Sequence, residues 1–237
     1  MPIPDQAMEG AVHFRAHAVL RLWQAILVAG LIPLGISYVG HFSPGGTRLY
    51  QTWFYEGLEL LAAISILGRV VFVRAERAAW LFIGAGLLAT TCGDVLYDFW
   101  YSGNPPFPSA ADAGYLAFYP LLYVGIVLLL RRRVSTFSAS LWLDGLLAAT
   151  AAGALGASLL LEVVVNSTHG RPLVVLTNMA YPLGDVLLLA LLVFVFSVTR
   201  WRPGRAWALI AVGLVFNTVG DGVNPVVGDR LFDSARR

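Results

Sequence analysis

The fold class this sequence predicts is all-α: a polytopic membrane helical bundle of about seven transmembrane helices built from repeated helical hairpins. Three observations predict it. First, 58% of the 237 residues are hydrophobic and 13% charged, with mean hydropathy +0.72; a soluble domain carries about 25% charged residues. Second, several apolar runs exceed the roughly 18 residues that mark a spanning helix. Third, two of these runs are copies. RAAWLFIGAGLLATTCGD, Arg77 to Asp94, matches RAWALIAVGLVFNTVGD, Arg205 to Asp221, at one constant offset through Trp80/Trp207, Gly86/Gly213, Leu87/Leu214, Thr91/Thr218, Gly93/Gly220 and Asp94/Asp221.

The spans are expected in order at about Ala18–Tyr38, Tyr50–Val73, Ala78–Trp100, Ala113–Leu130, Ala139–Val163, Val174–Val198 and Ala206–Pro225. They divide the chain into a polar cytoplasmic segment 1–17, a membrane domain 18–225 and a short tail 226–237. The first segment lacks the basic region and small-residue cleavage site of a signal peptide, so the first span reads as a retained anchor. The repeat extends over 52–94 and 178–221, and Tyr119-Pro120-Leu121 recurs as Tyr181-Pro182-Leu183. Repeats offset by whole hairpins keep their direction, so they are parallel.

Arginine sets the expected orientation. Every basic side chain apart from histidine is arginine, clustered at Arg15/Arg21, Arg69/Arg74/Arg77, Arg131–Arg133 and Arg200/Arg202/Arg205. The alternate loops carry only Arg48 and Arg171. The positive-inside rule then places the N-terminus in the cytoplasm of a plasma-membrane, multi-pass protein. Seven spans would put the tail outside, yet the tail carries Arg230, Arg236 and Arg237. Either a further helix is missing, as in a truncated or frame-shifted product, or the tail is an exception to the rule.

The absent residue types exclude several functions. Without lysine there is no retinal Schiff base. A lone Cys92 excludes a disulfide framework and a cysteine metal site, and is expected to pack in its apolar stretch. The four histidines lie outside the spans, which argues against a bis-histidine haem. No phosphate-binding glycine loop, HExxH or GxSxG is present. Neither a cofactor nor a metal is expected, and the arginine clusters read as topology determinants rather than a nucleic-acid site.

The acids carry the functional expectation. Intramembrane carboxylates are costly and by default functional. The predicted topology gathers Glu56, Glu59, Asp94, Asp98, Asp185 and Asp221 in the outer leaflet, with Tyr119 and Tyr181 beside them. Asp94/Asp98 and Tyr181/Asp185 are each one helical turn apart and share a face. Two carboxylates that close in low dielectric do not easily both ionise, so the cluster is a candidate ligand, cation or pH-sensing site. The plainer alternative is that each acid is neutral or bonded to a Tyr, Thr or Asn on the next helix. Asp144 reads as a helix N-terminal acid, and Ser109/Asp112 as a capping box closing the proline-rich loop 102–112. The aromatics Tyr97, Trp100, Tyr101, Phe107, Tyr115, Phe118 and Tyr119 read as an interfacial belt, and would also suit the wall of a ligand pocket.

The ordered set GDVLYDFWYSGNPPFPSAADAGYLAFYP, RRR, SLWLDGLLAA, NMAYPLGDVLLLAL and TRWRPGRAW resembles the N-terminal membrane region of actinobacterial diguanylate cyclase and GGDEF–EAL signalling proteins. The resemblance runs from Arg77 to Asp221. It implies a sensory or anchoring module, with Asp94, Asp112, Tyr119, Asp144, Tyr181 and Asp185 as matching positions. In that family a last helix and cytoplasmic domains that make or degrade cyclic di-GMP follow. Neither a GGDEF nor an EAL sequence is present here, so the chain itself is not expected to be an enzyme. Its expected partners are the bilayer, a cytoplasmic signalling partner or missing cyclase domain, and a second copy in a homodimer. A small ion-coupled transporter and a structural membrane subunit are the alternatives.

Overall fold

The computed structural model describes residues 25–27, 29–33, 49–102, 104–133, 139–167, 171–202, 204 and 206–218. Among them every regular element is helical: α1 (Tyr55–Phe72), α2 (Arg77–Val95), α3 (Ala110–Arg133), α4 (Ala139–Ser167), α5 (Pro172–Val198) and α6 (Ala206–Thr218). Short helical pieces at 25–27 and 29–33 precede them. A π-helical turn, Leu49–Phe54, leads into α1, and another, Leu96–Trp100, extends α2. The expected span Ala18–Tyr38 falls largely outside the described residues, as do segment 1–17, the tail and Asp221.

Among the described residues three helices are long and apolar enough to cross a bilayer: Arg74–Trp100, Ala110–Arg132 and Pro172–Val198. Of their apolar windows only 39%, 39% and 44% is buried, so most of each presents apolar side chains outward. Leu81, Tyr123, Val124, Leu183 and Leu187 are among those exposed. A soluble monomer rarely exposes an apolar patch beyond a few hundred Å²; lipid accounts for this surface. Helix α1 departs from that class because Glu56, Glu59 and Arg69 interrupt its 18 residues.

The helix ends follow local chemistry. Ser109 opens α3 with the expected capping box: the Ser109 amide donates to Asp112 Oδ2 at 2.6 Å, and the Ala111 amide donates to Ser109 Oγ at 3.2 Å. Pro172 starts α5 at a position that needs no amide donor. The end of α5 is a Schellman turn: the Trp201 amide reaches Phe196 O at 2.8 Å and the Arg200 amide reaches Ser197 O at 2.9 Å. Arg200 sits at φ 53° where glycine is the usual occupant. The Trp201 ring, 5.8 Å from Phe196, supplies the apolar contact of that motif.

Neighbouring helices pack as α1–α2–α3–α5–α4, and one core unites them. Ile126 of α3 and Val195 of α5 are fully buried at its centre, and Trp80, Trp207 and Leu214 join it. The α2–α3 seam is the tightest. A Cβ at Gly114 would lie 2.6 Å from Ala89 O, and one at Gly125 would lie 3.0 Å from Ala79 O. Such backbone approach through small residues is how helices associate in lipid, where no hydrophobic force pushes them together. Cys92 is exposed, against the expectation that it packs inside; it lies on the face of α2 turned away from the neighbours that bury Thr91 and Gly93.

Candidate functional site: a layer of acids and tyrosines

The acids lie toward the start of α1, the end of α2 and the start of α3, whereas Arg69, Arg77, Arg131 and Arg132 occupy the opposite ends of those helices. Among the described residues Glu76, Asp144 and Arg171 are the exceptions to this segregation. Glu76 is held at the arginine end by Trp80, whose Nε1 donates to Glu76 Oε2 at 2.7 Å while the Arg69 guanidinium stacks 4.4 Å above the indole.

Four of the eight expected site residues meet between α1 and α2. Glu59 lies within hydrogen-bond reach of Asp94 and Thr91, and Glu56 within reach of Asp98. Tyr115 of α3 donates to Asp94 Oδ1 at 2.8 Å. One oxygen of each of Glu56, Glu59 and Asp94 (Oε1, Oε2 and Oδ2) is buried with no hydrogen-bond partner. A buried acceptor left unmatched costs about 1–3 kcal/mol, more if charged, so three in one place is not a feature of stable packing.

Three of the other four, Tyr119, Tyr181 and Asp185, form a second group between α3 and α5, and Asp221 lies outside the described residues. Tyr119 donates to Asp185 Oδ1 at 3.3 Å, and Asp185 is buried. The Tyr119 and Tyr181 rings meet edge to face with centroids 6.5 Å apart. Tyr181 in turn donates to Asp112 Oδ1 at 2.7 Å. The cap residue of α3 therefore also ties α3 to α5. Gly184 makes room for the Tyr119 ring, since a Cβ there would lie 2.5 Å from it. Pro120 and Pro182, directly after the two tyrosines, each remove an amide donor from their helix.

Tyr115 joins the groups, for it contacts Asp94 and lies in the electrostatic reach of both Asp98 and Tyr181. The sequence places it with Tyr119 at the outer start of this helix, in an aromatic cluster that would also suit a ligand-pocket wall, but not among the site residues. Its four-residue spacing from Tyr119 puts both rings on one face of α3, which is the signal that could have found it. The glycines that admit the rings had no such signal: a Cβ at Gly93 would lie 2.7 Å from Tyr115. The belt itself divides. Tyr97, Trp100 and Phe107 are exposed together with Trp53 and Phe99, while Phe118 and Tyr119 turn inward. Asp144 is exposed on α4, away from this layer. Among the described residues no group of three or more His, Cys, Asp or Glu is arranged to hold a metal ion.

Fold and site together describe an all-helical bundle with three candidate membrane-spanning helices among the described residues and a buried polar layer toward one end. No protein-family model matches the chain, and no similar curated protein or solved structure is found.

Proposed function

We propose that this chain is the membrane input module of a signalling protein of the cyclic di-GMP type, with seven helices, its N-terminus in the cytoplasm and its acid layer toward the outside of the plasma membrane. The observation that carries the reading is the trio of orphaned carboxylate oxygens on Glu56, Glu59 and Asp94. They lie where α1, α2 and α3 meet, so a ligand arriving there gains more in one packing of these helices than in another. That differential is what a sensor requires. The resemblance of 77–221 to GGDEF-associated membrane regions supplies the output, a cyclase domain or partner on the arginine side. A chain that senses and relays has no need of catalytic groups of its own.

The test is a fusion of the module to a diguanylate cyclase output. Asp94→Asn and Asp185→Asn are each expected to change the cyclic di-GMP produced by at least several-fold. Wild-type output from both variants would make the acids structural and sink the reading.

One observation favours transport as a second reading. Two mid-helix prolines stand next to tyrosines that face each other across α3 and α5, and interrupted helices are the usual lining of a carrier site. Uptake into proteoliposomes that disappears in Asp185→Asn would select it.

A further inference from the structure

We infer that Glu59 and Asp94, flanked by Glu56 and Asp98, form a proton-binding site, and that the ligand of the layer is a proton drawn from the aqueous side nearest it. The inference rests on the sensory reading above and names the ligand of the same site.

Three observations lead there. Glu56, a neighbour of Asp94 and Asp98, is only 8% exposed, and its Oε1 is buried without a hydrogen-bond partner. The acid–acid contacts Glu59–Asp94 and Glu56–Asp98 bring together groups that only accept hydrogen bonds when ionised. A proton on one carboxyl of such a pair would let it donate to the other and give the orphaned oxygens a partner. The surroundings offer a larger polar ligand little to bind. The groove beside it, between 25–33 and α1, has a volume of about 250 Å³, is lined by Leu27, Leu31, Tyr55, Leu58, Glu59 and Ala62, and is apolar. Glu59 Oε2 is buried behind it.

The groups facing the pair come from every packed element. Glu56 stands on α1, Thr91 and Asp98 on α2 and its π-helical turn, Tyr115 on α3, and Tyr181 beyond it on α5; the described groove wall of 25–33 contributes leucines. The ionisable neighbours that act on Glu56 and Glu59 are all acids. Removing the proton would leave like charges facing across the α1–α2 contact, where low dielectric strengthens their repulsion. The elements that would yield are the two π-helical turns, Leu49–Phe54 and Leu96–Trp100. They flank the acids and are joined by Trp53 and Phe99, edge to face at 4.8 Å. Irregular turns of this kind are where helices deform most readily.

Infrared difference spectroscopy of the full chain in lipid vesicles tests this directly. A protonated-carboxyl C=O band that shifts in D₂O is expected at neutral pH and should be lost when the medium is made alkaline. Glu59→Gln and Asp94→Asn should each remove part of that band, whereas Asp144→Asn, on the exposed face of α4, should leave it whole. No such band in the wild-type chain, or a band untouched by both site variants, overturns the inference. Should a variant lose its helical fold, the wild-type band and its loss at alkaline pH decide alone. A band without any response of the cyclase fusion keeps the proton site and removes the sensory reading; a fusion response without the band does the reverse.

Discussion

Helices α2 and α6 share one sequence pattern, but the bundle uses them differently. Trp80 and Trp207 are both buried, 7% and 4% exposed, so the aromatic anchor keeps its role in each copy. The small residues do not. Gly86 is buried, with space for a Cβ only in contact with Phe118 and Leu121 at 3.5 Å, whereas Gly213 faces open space. Thr91 is buried and Thr218 half-buried. Helix α2 is wedged between α1 and α3, but α6 leaves Leu209, Val212, Val215 and Phe216 exposed. Repetition in sequence specifies a helix and its anchor; the neighbours decide whether the rest becomes a seam, a site or a lipid-facing surface. Asp94 joins the acid layer because α1 brings Glu59 to it and α3 brings Tyr115.

Substitutions at matched and unmatched positions can break this comparison. The largest effect is expected at the α2–α3 seam. Gly114→Ala places a Cβ 2.6 Å from Ala89 O, and because backbone cannot swing aside it should destabilise by about 3 kcal/mol, the upper range for overpacking. Denaturation of the reconstituted protein in mixed micelles, followed by helical circular dichroism, measures it. Next, Gly86→Leu should cost about 2 kcal/mol in the same assay by forcing Phe118 and Leu121 apart, while Gly213→Leu should fall within roughly 0.5 kcal/mol of wild type. Equal effects of the pair would mean that α6 has a packed partner like that of α2.

The tryptophans sharpen the comparison further. Trp80→Phe gives up the bond to Glu76 and weakens the stacking of Arg69, which together should cost about 1–2 kcal/mol. The readouts are that stability loss and a change in Trp80 fluorescence when Arg69 is replaced by glutamine. The smallest effect is a gain: Gly213→Ala meets nothing within 4 Å and should stabilise α6 by about 0.5 kcal/mol through helix propensity alone.

Some of the site was legible before any coordinates. Glu56, Glu59, Asp94 and Asp98 were drawn together by topology, because successive hairpins return their acids to the same end of the bundle. Tyr119, Tyr181 and Asp185 followed from one-turn spacing and the repeated Tyr-Pro-Leu. The division into two groups was not legible, since it depends on which helices touch. Nor was the double duty of Asp112, whose second oxygen is claimed by a tyrosine 69 residues away.

Composition and apolar run length by themselves determined that the described chain is helical and suited to lipid. In a bilayer every backbone amide must be satisfied within its own segment, and a long apolar run has one way to do that. Local patterns likewise determined the Ser109–Asp112 cap, because its partners lie within a single turn. Tertiary structure alone decided which face of each helix is a seam and which carboxylate oxygens are left without a donor. In lipid the apolar residues are equally content against a neighbour or an acyl chain, so hydrophobicity cannot choose the packed face. The choice falls to close approach at Gly93, Gly114 and Gly184 and to a few long-range tyrosine bonds, and neither leaves a periodic signal in the chain.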